Sequence, residues 1–169
     1  MVQIRAICGD ITKINIDAIV NAANTSLLGG GGVDGAIHRA AGKDLLDECW
    51  TLNGCKTGEA KLTKGYKLPA KFVIHTAGPV WHGGHSNEDN LLADCYINSL
   101  LVADQNNIKK IAFPAISTGV YGFPAERAAK IAFTTVQEVC SQNDFFDEII
   151  FVCFDADTLK YYDKLLKNS

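Results

Sequence analysis

The chain has 169 residues, 47% of them apolar, and a formal net charge of −3 at pH 7. That size and composition suit one globular domain over residues 1–169 with a sizeable core, and the acidic balance argues against the basic face or stripe that an extended nucleic acid requires. No signal-peptide pattern opens the sequence and no apolar run is long enough to cross a bilayer, so a cytoplasmic protein with no membrane attachment is expected.

Val2, Ile4, Ala6 and Cys8 follow a mostly period-two pattern, which predicts a strand ending at Gly9 and Asp10. A short apolar run over 16–20 predicts a buried strand that hands Asn21 to a loop. Gly29, Gly30, Gly31 and Gly32 follow, and a helix is expected to begin near Asp34, with Gly42 dividing 35–50 into two short helices. Strands are predicted over 60–66 and 72–77, the second running out through His75, Thr76, Ala77, Gly78 and Pro79. Residues 90–106 carry a broad apolar helical face, 111–116 read as a strand, and Pro124 suits the first turn of a helix reaching about Cys140. A strand over 149–154 and a helix over 158–166 complete the chain. Strands alternating with helices predict an α/β domain with helices on both faces of its sheet, whose ligands sit beyond the carboxyl ends of the strands.

Two stretches repeat one plan of strand, glycine loop and helix: residues 14–39 and 111–140. Glycine-rich backbone and the unpaired amides of a helix N-terminus suit an anion such as a diphosphate. The plain readings are a surface connection for the glycines, a helix cap for Asp34 and turn residues for Asn21 and Asn24. Tyr121 and Phe154 are core or stacking positions, a choice the residues leave open.

Gly30, Gly32 and Gly35 match the dinucleotide fingerprint, but no following strand supplies the acidic residue that would hold a ribose. Neither loop carries the Lys and Ser or Thr of a Walker motif. His82 and His85 flank two glycines with no third ligand at a recognisable spacing, so neither a metal nor a cofactor is expected. His38 and His75 read as hydrogen-bonded structural histidines. Six cysteines without a Cys-x-x-Cys pair, most in apolar surroundings, predict reduced thiols in the core.

Gly9-Asp10-Ile11-Thr12, Asn21-Ala22-Ala23-Asn24, the glycine run with Val33-Asp34, the segment from His75 to Pro79 and the loop from Ser117 to Gly122 stand together in one order. In that order the chain resembles a macrodomain of the MacroD type, an ADP-ribose-binding family, over nearly its whole length. The resemblance implies a three-layer α/β/α fold with a mixed, largely parallel central sheet. It also implies that Asp10, with Ile11 beside it, accepts from the adenine amino group and that Phe154 stacks on the base. Ser117, Thr118, Gly119, Val120 and Tyr121 resemble the diphosphate loop, with Gly32 and Val33 closing from the other side and Tyr121 packing on the distal ribose.

Asn24 resembles the residue that orients the distal ribose hydroxyls, and Asp34 the acidic residue that MacroD-type hydrolases need. The implied activities are removal of mono-ADP-ribose from Asp and Glu side chains of modified proteins and deacetylation of O-acetyl-ADP-ribose, through a water held between a substrate phosphate oxygen and Asp34. A reader of ADP-ribosylated proteins that performs no turnover, or a phosphatase acting on ADP-ribose 1″-phosphate, are the alternatives. Some macrodomains use zinc, and no ligand set for it is legible here.

Overall fold

A computed structural model describes residues 1–169. In chain order it contains β1 (Gln3–Cys8), a 3-10 turn (Ile11–Lys13), β2 (Ala18–Ala23), α1 (Gly32–Ala41), α2 (Lys43–Trp50), β3 (Ala60–Lys64) and β4 (Phe72–Ala77). There follow α3 (Glu88–Gln105), β5 (Lys110–Phe113), α4 (Ala125–Gln142), β6 (Glu148–Cys153) and α5 (Ala156–Lys167). The six strands form one sheet in the order β1-β6-β5-β2-β4-β3. All neighbouring pairs are parallel except β3 with β4, so the sheet is mixed and largely parallel, as the resemblance implies.

Strand alternation sorts the core into two layers. Ala18, Val20, Ile74, Ile111, Phe113, Ile149 and Phe151 point to one side, where they pack with Leu92 and Tyr96 of α3, Ala132 of α4 and Tyr162 of α5. Ile19, Val73, Ala112, Ile150 and Val152 point to the other, against Ile37 of α1 and Leu45 of α2. This period of two on strands buried on both faces is the pattern of an α/β/α sandwich. The first layer is rich in rings: Tyr162 stacks on Phe151 at 4.6 Å between centroids, and Tyr96 tilts against Phe113 at 4.9 Å.

Several boundaries differ from the sequence expectation. β2 does not stop at Val20 but runs on through Asn21, Ala22 and Ala23, which pair in register with His75, Thr76 and Ala77 of β4. Asn21 is therefore a buried strand residue rather than the first residue of a loop, because ladder pairing with β4 outweighs its polarity. β5 ends at Phe113 instead of 116, since Pro114 has no N–H to donate to a ladder. β6 ends at Cys153, leaving Phe154 beyond the sheet, and Tyr66 lies outside β3 at φ 52°. Pro124 caps α4 rather than entering its first turn, and α3 starts at Glu88, two residues early. The break at Gly42 is where it was expected, at φ +87°. Cys49, Cys55, Cys95 and Cys153 are buried free thiols, whereas Cys8 is exposed. No helix is long and apolar enough to cross a membrane.

Candidate active site

The parallel strands bring five strand ends to one edge of the sheet: Asp10 after β1, Phe154 after β6, the 114–124 loop after β5, Asn24 and the glycines after β2, and Gly78 after β4. With strands ~4.8 Å apart, three steps from β1 to β2 span ~15 Å. The sequence-predicted residues therefore lie along one edge of the sheet in spatial order, although they are scattered from Asp10 to Phe154 in the chain.

At the β1 end, Asp10 caps the 3-10 turn. Its Oδ1 accepts from Thr12 N at 3.0 Å and from Thr12 Oγ1 at 2.6 Å, and these bonds hold its carboxyl below the ordinary range. Oδ2 takes no part in the cap and is left to accept from a ligand. Ile11 is buried beside it, while Phe154 is 94% exposed. Neither Phe154 nor the partly exposed Tyr121 is a core residue.

The loop after β5 is drawn tight by Phe123 N donating to Ser117 O, Gly122 N to Gly119 O and Tyr121 O accepting from Trp81 N. Ser117 adopts φ 66°, in the left-handed region. The amides of Thr118, Gly119, Val120 and Tyr121 donate to no protein acceptor, so the loop presents a row of free N–H groups of the kind that cradles phosphate. Val120 at its tip is wholly exposed. Gly78 makes the loop's position feasible: a Cβ there would sit 2.3 Å from Ser117 Oγ and 2.7 Å from Ile116 Cγ2. Nothing in the sequence reading singled out Gly78 for this reason.

After β2, α1 begins at Gly32 with no side-chain cap on its first amides. Asn24 organises the approach. Its Oδ1 accepts from Ser26 N, Ser26 Oγ and Leu27 N, and its Nδ2 donates to Gly29 O at 2.9 Å. One amide hydrogen of Asn24 remains for another acceptor.

Asp34, in the first turn of α1, is only 4% exposed. Its Oδ1 accepts from Asn21 Nδ2 at 2.9 Å and stands 3.4 Å from His38 Nε2. Its Oδ2 is buried without a hydrogen-bond partner. A Cβ built on Gly30 would lie 3.1 Å from that oxygen and 3.4 Å from Asn24 Nδ2. Gly30 thus leaves room where Asn24 and Asp34 face each other.

Behind Asp34 runs a buried chain that sequence reasoning did not find. The second hydrogen of Asn21 Nδ2 reaches His75 Nδ1 at 3.1 Å, and His75 Nε2 meets Thr63 Oγ1 at 2.8 Å, which is 3.1 Å from Lys64 O. Burial, helped by nearby His38, pulls His75 down to about 3, so its ring is neutral at pH 7. Asn21 needs Nδ1 as an acceptor, which leaves the proton on Nε2 to donate to Thr63. The orientation of Asn21 is fixed in turn by the carboxylate, which can only accept. His75 is a hydrogen-bonded structural histidine, whereas His38 lies against the candidate catalytic carboxylate.

The glycine fingerprint has a different setting from a nucleotide-binding βαβ unit: the strand after α2 is β3, antiparallel and at the sheet edge. Gly35 does share one duty with the third glycine of that motif, close packing of helix on loop, since a Cβ there would lie 2.5 Å from Gly30 O. His82 and His85 lie in a loop gathered by Glu88, whose carboxylate accepts from the amides of His82, Gly84 and Ser86.

Comparison with known proteins places this architecture. Residues 20–132 match the family model "Macro domain". A macro domain-containing protein of Chlorobaculum tepidum is 61% identical over 165 residues, covering 98% of this chain and 96% of its own. The O-acetyl-ADP-ribose deacetylase of Escherichia coli K12 is 52% identical over 168 residues, covering 97% and 95%. A crystal structure of the Trypanosoma brucei macrodomain in complex with ADP-ribose superposes with a TM-score of 0.92 at 47% identity, covering 96% of this chain and 68% of that one. By sequence and by fold alike, the chain belongs to the macro domain family.

Proposed function

We propose that the chain binds ADP-ribose in a crevice along this sheet edge and hydrolyses esters of its distal ribose, both O-acetyl-ADP-ribose and proteins carrying mono-ADP-ribose on Asp or Glu. The observation that carries the hydrolytic reading is Asp34 Oδ2, a buried carboxylate oxygen without a protein partner, facing Asn24 across Gly30. Burying such an oxygen unpaired is costly, and in this reading it is held to accept from the attacking water. The named activity of the E. coli relative and the ADP-ribose of the T. brucei complex support the same reading.

In this reading Asp10 accepts from the adenine amino group beside Ile11, and Phe154 covers the base. The amides of Ser117, Thr118, Gly119, Val120 and Tyr121 on one side, and of Gly32 and Val33 on the other, hold the diphosphate, while Tyr121 packs on the distal ribose. Asn24 uses its remaining N–H to orient a ribose hydroxyl. A water between Asp34 and a substrate phosphate oxygen then attacks the ester, at its acyl carbon or at the anomeric carbon that bears it. Attack at the acyl carbon breaks its bond to the ribose oxygen, attack at the anomeric carbon breaks that carbon's bond to the ester oxygen; in each case the departing oxygen takes the proton, and a carboxylic acid and ADP-ribose are released. Acetate leaves in one substrate and a restored Asp or Glu in the other. Placement supplies most of the rate, with Asp34 and the phosphate sharing the proton.

The test compares native chain, Asn24→Ala and Asp34→Ala in acetate release from O-acetyl-ADP-ribose and in single-turnover release of labelled ADP-ribose from a Glu-modified protein. Binding of ADP-ribose with neither release identifies a reader, and phosphate release from ADP-ribose 1″-phosphate identifies a phosphatase. Full hydrolysis by Asp34→Ala defeats the assignment of Asp34.

A further inference from the structure

A second concavity, of about 510 Å³, lies along the outer side of the β2–α1 loop and α1, lined by Leu28, Gly29, Gly30, His38, Arg39 and Lys43. It shares a wall with the catalytic end of the crevice. Gly30, which lines it, directs its Cβ position at Asp34 Oδ2, and His38, which also lines it, stands 3.4 Å from Asp34 Oδ1.

Two cations line the concavity and a third lies beside its wall. The Arg39 guanidinium lies over Gly35, 3.0 Å from where a Cβ would sit, Lys43 opens α2, and the Lys67 side chain crosses Gly42, another lining residue, at 3.3 Å from its Cβ position. None of the three has a carboxylate within 4 Å or donates a side-chain hydrogen bond. Asp44 and Asp47, the nearest acids on α2, form no ion pair either. Arg5 and Arg127 are paired with Glu148 and Asp89, so Arg39 stands apart from the other two arginines, whereas no lysine of the chain has an ion pair. Two unpaired cations lining one concavity, with Lys67 beside its Gly42 wall, in a chain with net charge −3 repel one another and complement an anionic partner.

We infer that this concavity receives an acidic polypeptide segment flanking the ADP-ribosylated Asp or Glu of a substrate protein. The inference rests on the hydrolase reading above, in which the acyl group departs at Asp34, beside the shared wall. An acetyl group needs no such space, whereas a volume in the range of ordinary ligand sites accommodates side chains on either side of the modified residue. Leu28 and Leu46 offer apolar contact to the methylenes of those side chains, while Arg39 and Lys43 meet their carboxylates.

The experiment uses two peptides carrying ADP-ribose on the same Glu, one with Glu and Asp neighbours and one with Gln and Asn. The native chain is expected to hydrolyse the acidic peptide with kcat/KM ~5-fold or more higher at low salt, the preference shrinking as ionic strength rises. In an Arg39→Gln, Lys43→Gln double variant the preference disappears while O-acetyl-ADP-ribose hydrolysis is unchanged. Equal values for the two peptides, or a preference that survives the double substitution, overturn the inference; so does a double variant that loses O-acetyl-ADP-ribose hydrolysis, which would make the concavity part of the acyl site. If neither peptide is turned over, the protein-hydrolase reading fails separately, and titration of both peptides into Asp34→Ala by calorimetry decides the concavity: tighter binding of the acidic peptide supports it and equal affinity overturns it.

Discussion

Asn21 donates its side-chain amide to Asp34 Oδ1 at 2.9 Å across 13 positions of sequence, joining a buried strand of the sheet to the first turn of a helix. The bond fixes one carboxylate oxygen and leaves the other without a protein partner. On the proposed mechanism that free oxygen serves turnover and not the grip on ADP-ribose. Asp34→Ala is expected to keep ADP-ribose affinity within ~3-fold and to lose ~10²–10⁴ in kcat on O-acetyl-ADP-ribose, the range of a general base. Calorimetry and acetate release measure the two separately, and parallel loss of both would assign Asp34 to binding.

His75 makes acid stability a test of the chain behind Asn21. Buried and neutral in the fold at about 3, it takes up a proton on unfolding at any pH between that value and the ordinary ~6.5 of a free histidine. Its contribution is therefore complete above pH 6.5 and declines as pH falls, by up to ~1.4 kcal/mol per pH unit. Glu88 acts in the same direction only lower down: burial opposes its ionisation, but the amides of His82, Gly84 and Ser86 prevail and hold it at about 2. Urea midpoints between pH 7 and 5 isolate the histidine. The native midpoint falls over that window, and His75→Gln, which retains an acceptor for Asn21 and a donor for Thr63, flattens it.

What the sequence made legible follows from what is local. Alternation located β1, and Gly42 located the break between α1 and α2, because each depends on a few neighbouring residues. An antiparallel component came only through family resemblance, and its place at β3 only from the structure, since strand direction depends on which partner lies alongside. Asp10, Asn24 and Asp34 could be placed near strand ends or helix starts from their neighbours. That Asn21 faces inward, with His75 accepting behind it, could not, because the contact joins residues 54 apart. The free side chains were ambiguous for the same reason: Phe154 is apolar enough for a core, and only its position beyond the end of β6 exposes it.

Two neighbouring glycines separate packing from mobility. Gly35 faces Gly30 O at 2.5 Å from its Cβ position, whereas Gly31 meets nothing within 4 Å and has φ −92°. Gly35→Ala forces α1 away from the loop that holds Asn24 and Gly30, at a cost of ~1–3 kcal/mol for overpacking. Hydrolysis is expected to fall with it. Gly31→Ala fits without displacement and is expected to retain both stability and turnover. Equal tolerance of the two substitutions in thermal denaturation and acetate-release assays would contradict the close packing of loop on helix.

Phe154 offers a separation at the opposite end of the crevice. At 94% exposure its ring contributes little to the core, so Phe154→Ala should change folding stability by no more than ~0.5 kcal/mol. If it covers adenine, the same substitution weakens ADP-ribose by ~0.5–1.5 kcal/mol, roughly 3–10-fold in Kd, through loss of aromatic stacking. ADP should suffer the same loss, because it retains the base, and ribose 5-phosphate should suffer none. Phe154→Trp restores affinity. The effect should change little between low and high salt, because stacking buries apolar surface, in contrast to the screened cations beside α1. A uniform loss for all three ligands would mean that Phe154 shapes the crevice as a whole and does not stack on the base.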